Sequence, residues 1–207
     1  MLKKAIILDL DNTIYPVSSI GDEVFSSLFD LIESDGSHLD KLDEIKKQMM
    51  RRPFQMVASD YGFSEDLKKK GARLLADLRY EGALHPFNDY QFVKELSLDR
   101  FLVTTGFYKL QRSKVDGMKI GDDFKEVHII DPSTSSQTKR DVFASILSKH
   151  GYLKDEVLVV GDDLHSEIQA AKDLGIPALL YNKLKLTDEK PTVPAIESFQ
   201  ELKEFLE

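Results

Sequence analysis

Five short apolar runs rich in β-branched residues recur along the chain, each bounded by polar residues or glycine. They are Lys4–Leu10, Arg100–Thr104, Glu126–Ile130, Glu156–Val160 and Ile176–Tyr181. None alternates cleanly between apolar and polar, the pattern of strands buried on both faces of a parallel sheet. Helical stripes separate them. Asp141–Lys149 places Val142, Phe143, Ile146 and Leu147 on one face, with Thr138 and Asp141 as a capping pair and Gly151 as the stop. Leu164–Leu174 aligns Leu164, Ile168, Ala171 and Leu174 ahead of Gly175-Ile176-Pro177, and Asn88–Leu98 and Glu197–Leu206 fit the same role less strongly. Strands alternating with helices predict an α/β fold with a doubly wound, mainly parallel sheet.

The rhythm breaks once. Strand one ends near Leu10 and the next begins near Arg100, whereas a strand-to-helix loop normally takes ~2–6 residues. The intervening segment is itself helical: Ile20, Val24, Phe25, Leu28, Leu31 and Ile32 form one stripe, and Leu67, Leu74, Leu75 and Leu78 another. This predicts an α/β core of residues 1–14 and 86–207, with an inserted helical cap of residues 15–85. Ligands of open α/β sheets bind outside the carboxyl ends of the strands, so an insertion rooted there is placed to cover a site. Lys183–Pro194 reads as a polar loop.

Composition narrows the chemistry. The 207 residues are 42% hydrophobic, enough for a buried core rather than wholesale disorder. With 28 Lys+Arg against 36 Asp+Glu, the net charge is −8, which argues against a nucleic-acid partner but leaves phosphorylated small molecules open. The absence of cysteine excludes disulfides, thiolate metal sites and cysteine nucleophiles. No apolar stretch approaches the ~18 residues of a membrane span. The run Ala5-Ile6-Ile7-Leu8 stops at Asp9, short of a signal-peptide core, so a cytoplasmic protein with no membrane partner is expected. The five histidines show no metal-ligand spacing, and neither a P-loop nor a dinucleotide-binding glycine fingerprint is present.

Four places stand out at strand ends. Asp9-Leu10-Asp11-Asn12-Thr13 follows the first strand; its two acids suit a divalent cation or a division of nucleophilic and acid/base work, or equally a solvated turn. Gly161-Asp162-Asp163 opens the helix that carries Glu167, and reads either as helix capping or as carboxylates converging with those of strand one, since neighbouring strands lie ~4.8 Å apart. Thr104-Thr105-Gly106 offers a hydroxyl and backbone N–H groups to an anion, or an ordinary cap. Lys139 stands in the first turn of its helix, against the macrodipole, which an anionic ligand or a carboxylate would explain. Arg51-Arg52 fits a solvated helix end better than an anion contact.

Taken in order, these elements resemble the haloacid dehalogenase-like hydrolase superfamily: Asp9–Thr13 its first motif, Leu102-Val103-Thr104 its second, Thr138-Lys139 with the following helix its third, and Val159–Asp163 through Glu167 to Gly175-Ile176 its fourth. Thr105 stands where many relatives have Asn, and Glu167 where many have Asp. The resemblance implies a phosphatase in which Asp9 takes the phosphoryl group as an aspartyl-phosphate and Asp11 serves as acid, then base. Thr104, Thr105, Gly106 and Lys139 would bind the phosphoryl oxygens. Asp9, Asp11 through its carbonyl, and Asp162 would hold Mg²⁺, with Asp163 or Glu167 in support. The expected substrate is a small phosphorylated metabolite such as a sugar phosphate, a phosphoglycolate-like acid or a nucleoside monophosphate, handled by a monomer or homodimer. Side chains of Tyr15–Ser19 or Arg51–Phe54 are expected to set selectivity. A phosphomutase of the same superfamily would use the same residues. A receiver-like signalling domain would lack the cap and the Asp-x-Asp spacing. The dehalogenase reading is disfavoured by the acid at Asp11.

Overall fold

A computed structural model describes residues 2–207. Its strands are β1 (Ala5–Leu8), β2 (Asp99–Thr105), β3 (Glu126–Ile130), β4 (Val157–Gly161), β5 (Ala178–Tyr181) and β6 (Ala195–Ile196). They form one sheet in the order β3-β2-β1-β4-β5-β6, with every neighbouring pair parallel. The doubly wound α/β expectation therefore holds, and β1 and β4, buried at every residue, are the continuous apolar runs that the pattern promised. β6 is too short for any periodicity to show.

Alternate residues of the central strands feed two separate cores. Ile6 and Leu8 join Leu102, Leu158 and Val160 on one face, while Ala5 and Ile7 join Phe101, Val103, Val157 and Val159 on the other. The second face is covered by α8 (Lys139–His150) and α9 (Glu167–Leu174), which begins at Glu167 rather than Leu164 because the preceding residues turn back on Asp163. The first face is covered by α6 (Tyr90–Lys94), shorter than the stripe at Asn88–Leu98 suggests, by α7 (Tyr108–Met118), and by a 3₁₀ helix at Phe199–Phe205 where a C-terminal helix was expected. α7 has no counterpart among the expected helices. Its buried face mixes Gln111 and Lys114 with Leu110, Val115 and Met118, so its apolar stripe is interrupted.

Between β1 and β2 lies the helical insertion: α1 (Gly21–Val24), α2 (Ser26–Asp35), α3 (Leu42–Met49), α4 (Phe54–Asp60) and α5 (Glu65–Asp77). The Ser64 side chain caps α5 by accepting from the Leu67 N–H. A Cβ on Gly71 would stand 2.5 Å from the Phe54 ring, so glycine there lets α4 and α5 approach. The core of the insertion is continuous with that of the sheet: Leu28, Ile32, Ile45, Phe54, Leu67 and Leu75 belong to the same cluster as Leu8, Leu10, Ile14 and Tyr15. Among the described residues, no helix is long and apolar enough to cross a membrane.

Candidate active site

The end of β1 at Leu8 divides the site in two. Asp9 continues the Ala5–Ile7 side of β1, toward α8 and α9, and there its Oδ1 accepts from Lys139 Nζ at 2.6 Å. Lys139 Nζ also donates to Glu167 Oε2 at 2.7 Å, and Glu167 Oε1 accepts from the Asp163 N–H at 2.8 Å. Gly161 makes room for this, since a Cβ on it would lie 2.2 Å from Glu167 Oε1. Asp9, Asp162 and Glu167 each offer a carboxylate oxygen, the three lying within 4.8 Å of one another. Thr13 Oγ1 donates to Asp162 Oδ1 at 3.3 Å.

One ammonium among two buried carboxylates and the half-buried Asp162 leaves a surplus of negative charge. Burial, against the pull of Lys139 and with the push of Glu167 and Asp11, raises the Asp9 carboxyl to about 8. Burial together with Glu167, Asp9 and Asp163 holds Asp162 well above the carboxylate range. Burial disfavours the charge on Lys139, but Asp9 and Glu167 outweigh it and keep the ammonium protonated. As a unit, the cluster retains a proton. Its donors are all oxygens and its charge is uncompensated, the requirements of a hard divalent cation.

The second half lies toward α7. Asp11 Oδ1 accepts from Lys114 Nζ at 2.7 Å and from the Tyr15 hydroxyl, and its Oδ2 accepts from Gln111 Nε2 at 2.8 Å. Burial works to raise Asp11, but the Lys114 charge and the hydrogen bonds from Lys114, Tyr15 and Gln111 prevail and hold its carboxyl below the usual value. Gln111 Nε2 also donates to Thr104 Oγ1 at 2.6 Å. Thr104 is thereby tied to Asp11 rather than to Asp9. Gln111 and Lys114 are absent from the sequence-derived candidates; the available signal is two polar residues at helical spacing within an apolar face. Asn12, at φ 58°, occupies the left-handed region that asparagine tolerates. Its side chain donates to the Met50 carbonyl at 3.0 Å, joining the first loop to the insertion.

Both halves open into a cavity of about 790 Å³ between the sheet edge and the insertion. Thr105 and Gly106 line it at the end of β2, and Asp163 lines it with its Oδ1 engaged by the His165 N–H at 2.8 Å. Met49, Met50, Arg51, Arg52 and Phe54 line it from the insertion. Arg52 is paired with Asp60 at 2.5 Å. Tyr15, expected as a selectivity residue, instead donates to Asp11.

A family model described as haloacid dehalogenase-like hydrolase matches residues 3–175. The chain is 24% identical to a glyceraldehyde 3-phosphate phosphatase of Methanopyrus kandleri, over 91% of this chain and 88% of that protein. Its fold is similar to that of a haloacid dehalogenase-like family hydrolase from Streptococcus pneumoniae, with a TM-score of 0.70 at 18% identity over 98% of both chains. It is also similar to a HAD-hydrolase from Bacillus subtilis bound to magnesium, with a TM-score of 0.57 at 19% identity, over 100% of this chain and 99% of that one.

Proposed function

The chain belongs to the haloacid dehalogenase-like hydrolase family, and on that premise we propose that it is a magnesium-dependent phosphatase of small phosphorylated metabolites. The observation that carries this reading is Asp9, a buried carboxylate bound through Oδ1 to Lys139 and leaving Oδ2 for attack. The Asp9 oxygen forms a bond to phosphorus as the ester P–O bond breaks, and Lys139 offsets the negative charge brought together there. Asp11 gives a proton to the departing oxygen. It then takes one from the water that splits the aspartyl-phosphate, which frees Asp9 and releases inorganic phosphate. With Tyr15, Gln111 and Lys114 all donating to it, Asp11 is set as an acceptor. To act as the acid it must first exchange one of those donors for a proton.

Asp9, Asp162 and the Asp11 carbonyl would hold Mg²⁺, with Glu167 and Asp163 behind them, and the oxygen-only donor set fits that ion. When bound, the ion supplies positive charge against the phosphoryl oxygens. Thr104, with the N–H of Thr105, would bind those oxygens; the Gly106 N–H, expected to join them, instead donates to the Ile130 carbonyl at 2.9 Å. The roof formed by residues 15–85 excludes a phosphoprotein or a nucleic-acid end and admits a small metabolite. The similarity to a glyceraldehyde 3-phosphate phosphatase favours a sugar-phosphate-sized substrate. The test is a screen of phosphorylated metabolites, glyceraldehyde 3-phosphate among them, read as free phosphate with Mg²⁺ and again with EDTA. Release is expected with the metal and lost without it. Undiminished release in EDTA would overturn the reading, and isomerisation of a sugar phosphate without phosphate release would make the chain a mutase.

A further inference from the structure

Gln111 sits between Lys114, Asp11 and Thr104, and the chemistry of these neighbours fixes which way its amide faces. An ammonium has three donors and no acceptor, so the atom that Lys114 Nζ meets at 2.7 Å must be the Gln111 carbonyl oxygen. The amide nitrogen then faces the other way, where its two hydrogens meet two acceptors, Asp11 Oδ2 at 2.8 Å and Thr104 Oγ1 at 2.6 Å. The reversed amide would set N–H against the ammonium and carbonyl against the carboxylate. The ambiguity usual for a glutamine is therefore removed here by Lys114, whose side chain is only 3% exposed. Gly106 accommodates the arrangement: a Cβ on it would stand 3.0 Å from the Gln111 side chain.

The consequence falls on Thr104. Because its oxygen accepts from Gln111, its own proton points elsewhere, and the hydroxyl donates to none of the described residues. Thr104 is buried, yet it lines the cavity that also holds Asp9. We propose that Gln111, oriented by Lys114, is a positioning residue that turns the Thr104 hydroxyl into an obligate donor toward an anionic oxygen in the cavity. The identity of that anion as phosphoryl rests on the phosphatase reading; the direction of the hydrogen bonds does not.

The test is a double-mutant cycle of Gln111→Glu with Thr104→Val in the full chain with Mg²⁺. The readouts are affinity for inorganic phosphate by calorimetry and kcat/KM on p-nitrophenyl phosphate. Gln111→Glu keeps the shape but presents acceptors only, so it captures the Thr104 proton; a loss of about 10²-fold is expected in both readouts. In the Thr104→Val background that loss should shrink by about tenfold, because the hydroxyl through which it acts is gone. Gln111→Met carries the same cycle without an added charge, with about a tenfold loss expected to vanish beside Thr104→Val. A packing role predicts a near-wild-type Gln111→Glu variant, and simple charge repulsion predicts a loss undiminished beside Thr104→Val; either result would overturn the proposal. Phosphate binding with the expected coupling but no ester hydrolysis would overturn the phosphatase reading and leave this inference standing. Hydrolysis with additive losses would overturn the inference alone. Neither phosphate binding nor hydrolysis in the wild type would overturn both.

Discussion

Asp9 and Asp11 are separated by one residue and open into one cavity, yet their surroundings are opposite. Around Asp9, three carboxylates stand near the single ammonium of Lys139, which donates to Asp9 and Glu167 but not to Asp162, and burial pushes the Asp9 carboxyl up to about 8. Around Asp11, one carboxylate receives an ammonium, a phenol and an amide, and is held below its ordinary value. The end of β1 at Leu8 is the cause: Asp9 still follows the strand's alternation toward α8 and α9, whereas Asp11, which alternation would put on the same side, lies in the loop and reaches α7. The first half is short of positive charge and asks for a cation. The second is balanced by the chain's own groups. The same residue type two positions apart thus acquires different chemistry from the count of cations and acids around it.

The largest effect expected from breaking this contrast is on turnover. Asp9→Asn should lower kcat by at least about 10⁴-fold, since the amide is a poor nucleophile. Asp11→Asn should cost about 10²–10⁴-fold, the range of a lost acid/base. Stability should move in opposite directions. In metal-free protein the folded Asp9 cluster binds more protons than the unfolded chain between the ordinary Asp value of ~3.9 and about 8. Stability therefore falls as pH rises through that window, and Asp9→Asn reduces the fall, Asp162 keeping its own share. The depressed Asp11 carboxyl contributes stability above the ordinary Asp value, and that contribution is lost on acidification. Replacing it strands the buried Lys114, at a cost of about 2–3 kcal/mol, below the ~3–5 of a fully buried pair because Asp11 is 27% exposed. Urea unfolding in EDTA at pH 3, pH 5 and pH 8 measures both, the Asp11 loss appearing below pH 5 and the Asp9 fall above it. Shifts of the same sign in the two variants would end the comparison.

Magnesium should sharpen it. The ion is expected to stabilise the folded chain by about 2.7 kcal/mol at a hundredfold excess over Kd. The shift in melting temperature should grow from pH 6 to pH 8, as the proton held by the Asp9 cluster ceases to compete. Asp162→Asn should remove most of that shift, whereas Lys114→Gln should leave it largely in place. A Lys114→Gln variant that no longer responds to Mg²⁺ would show that the two halves act as one charge network.

The same contrast explains what the sequence could reveal. Asp9 and Asp162 were legible because each directly follows a strand buried on both faces, where an acid is conspicuous against the apolar run. Lys139 was legible because it follows a capping threonine and opposes the helix dipole. Gln111 and Lys114 were not, because α7 buries them among Leu110, Val115 and Met118, and polar groups on a buried face erase the stripe by which a helix is recognised. The start of α9 was misplaced for a related reason: Leu164 continues the apolar spacing, but Asp163 folds its own side chain onto the His165 N–H and holds the turn open until Glu167. Tyr15 follows the first loop at the entry to the insertion, and nothing in its sequence neighbourhood marks its hydroxyl as belonging to the Asp11 network.

The smallest effect expected is at the cap that fixes Lys139. Thr138 Oγ1 accepts from the Asp141 N–H at 3.3 Å, and Asp141 Oδ2 accepts from the Thr138 N–H at 2.9 Å, a reciprocal box that pins the first turn of α8. Lys139 is the next residue. Its charge opposes the helix dipole, so that turn depends on the box and on the carboxylates Lys139 reaches. Thr138→Ala should cost about 1 kcal/mol of stability, the usual value of a lost cap. It should also lower kcat a few-fold by loosening the Lys139 contact with Asp9, without touching the Asp11 network. Thr138→Ser should restore both, because its hydroxyl can rebuild the box. Differential scanning calorimetry and steady-state kinetics on the three proteins decide the matter. A stability loss of the expected size with unchanged kcat would mean that Asp9 and Glu167 alone hold Lys139 in place, and that the cap serves only the helix.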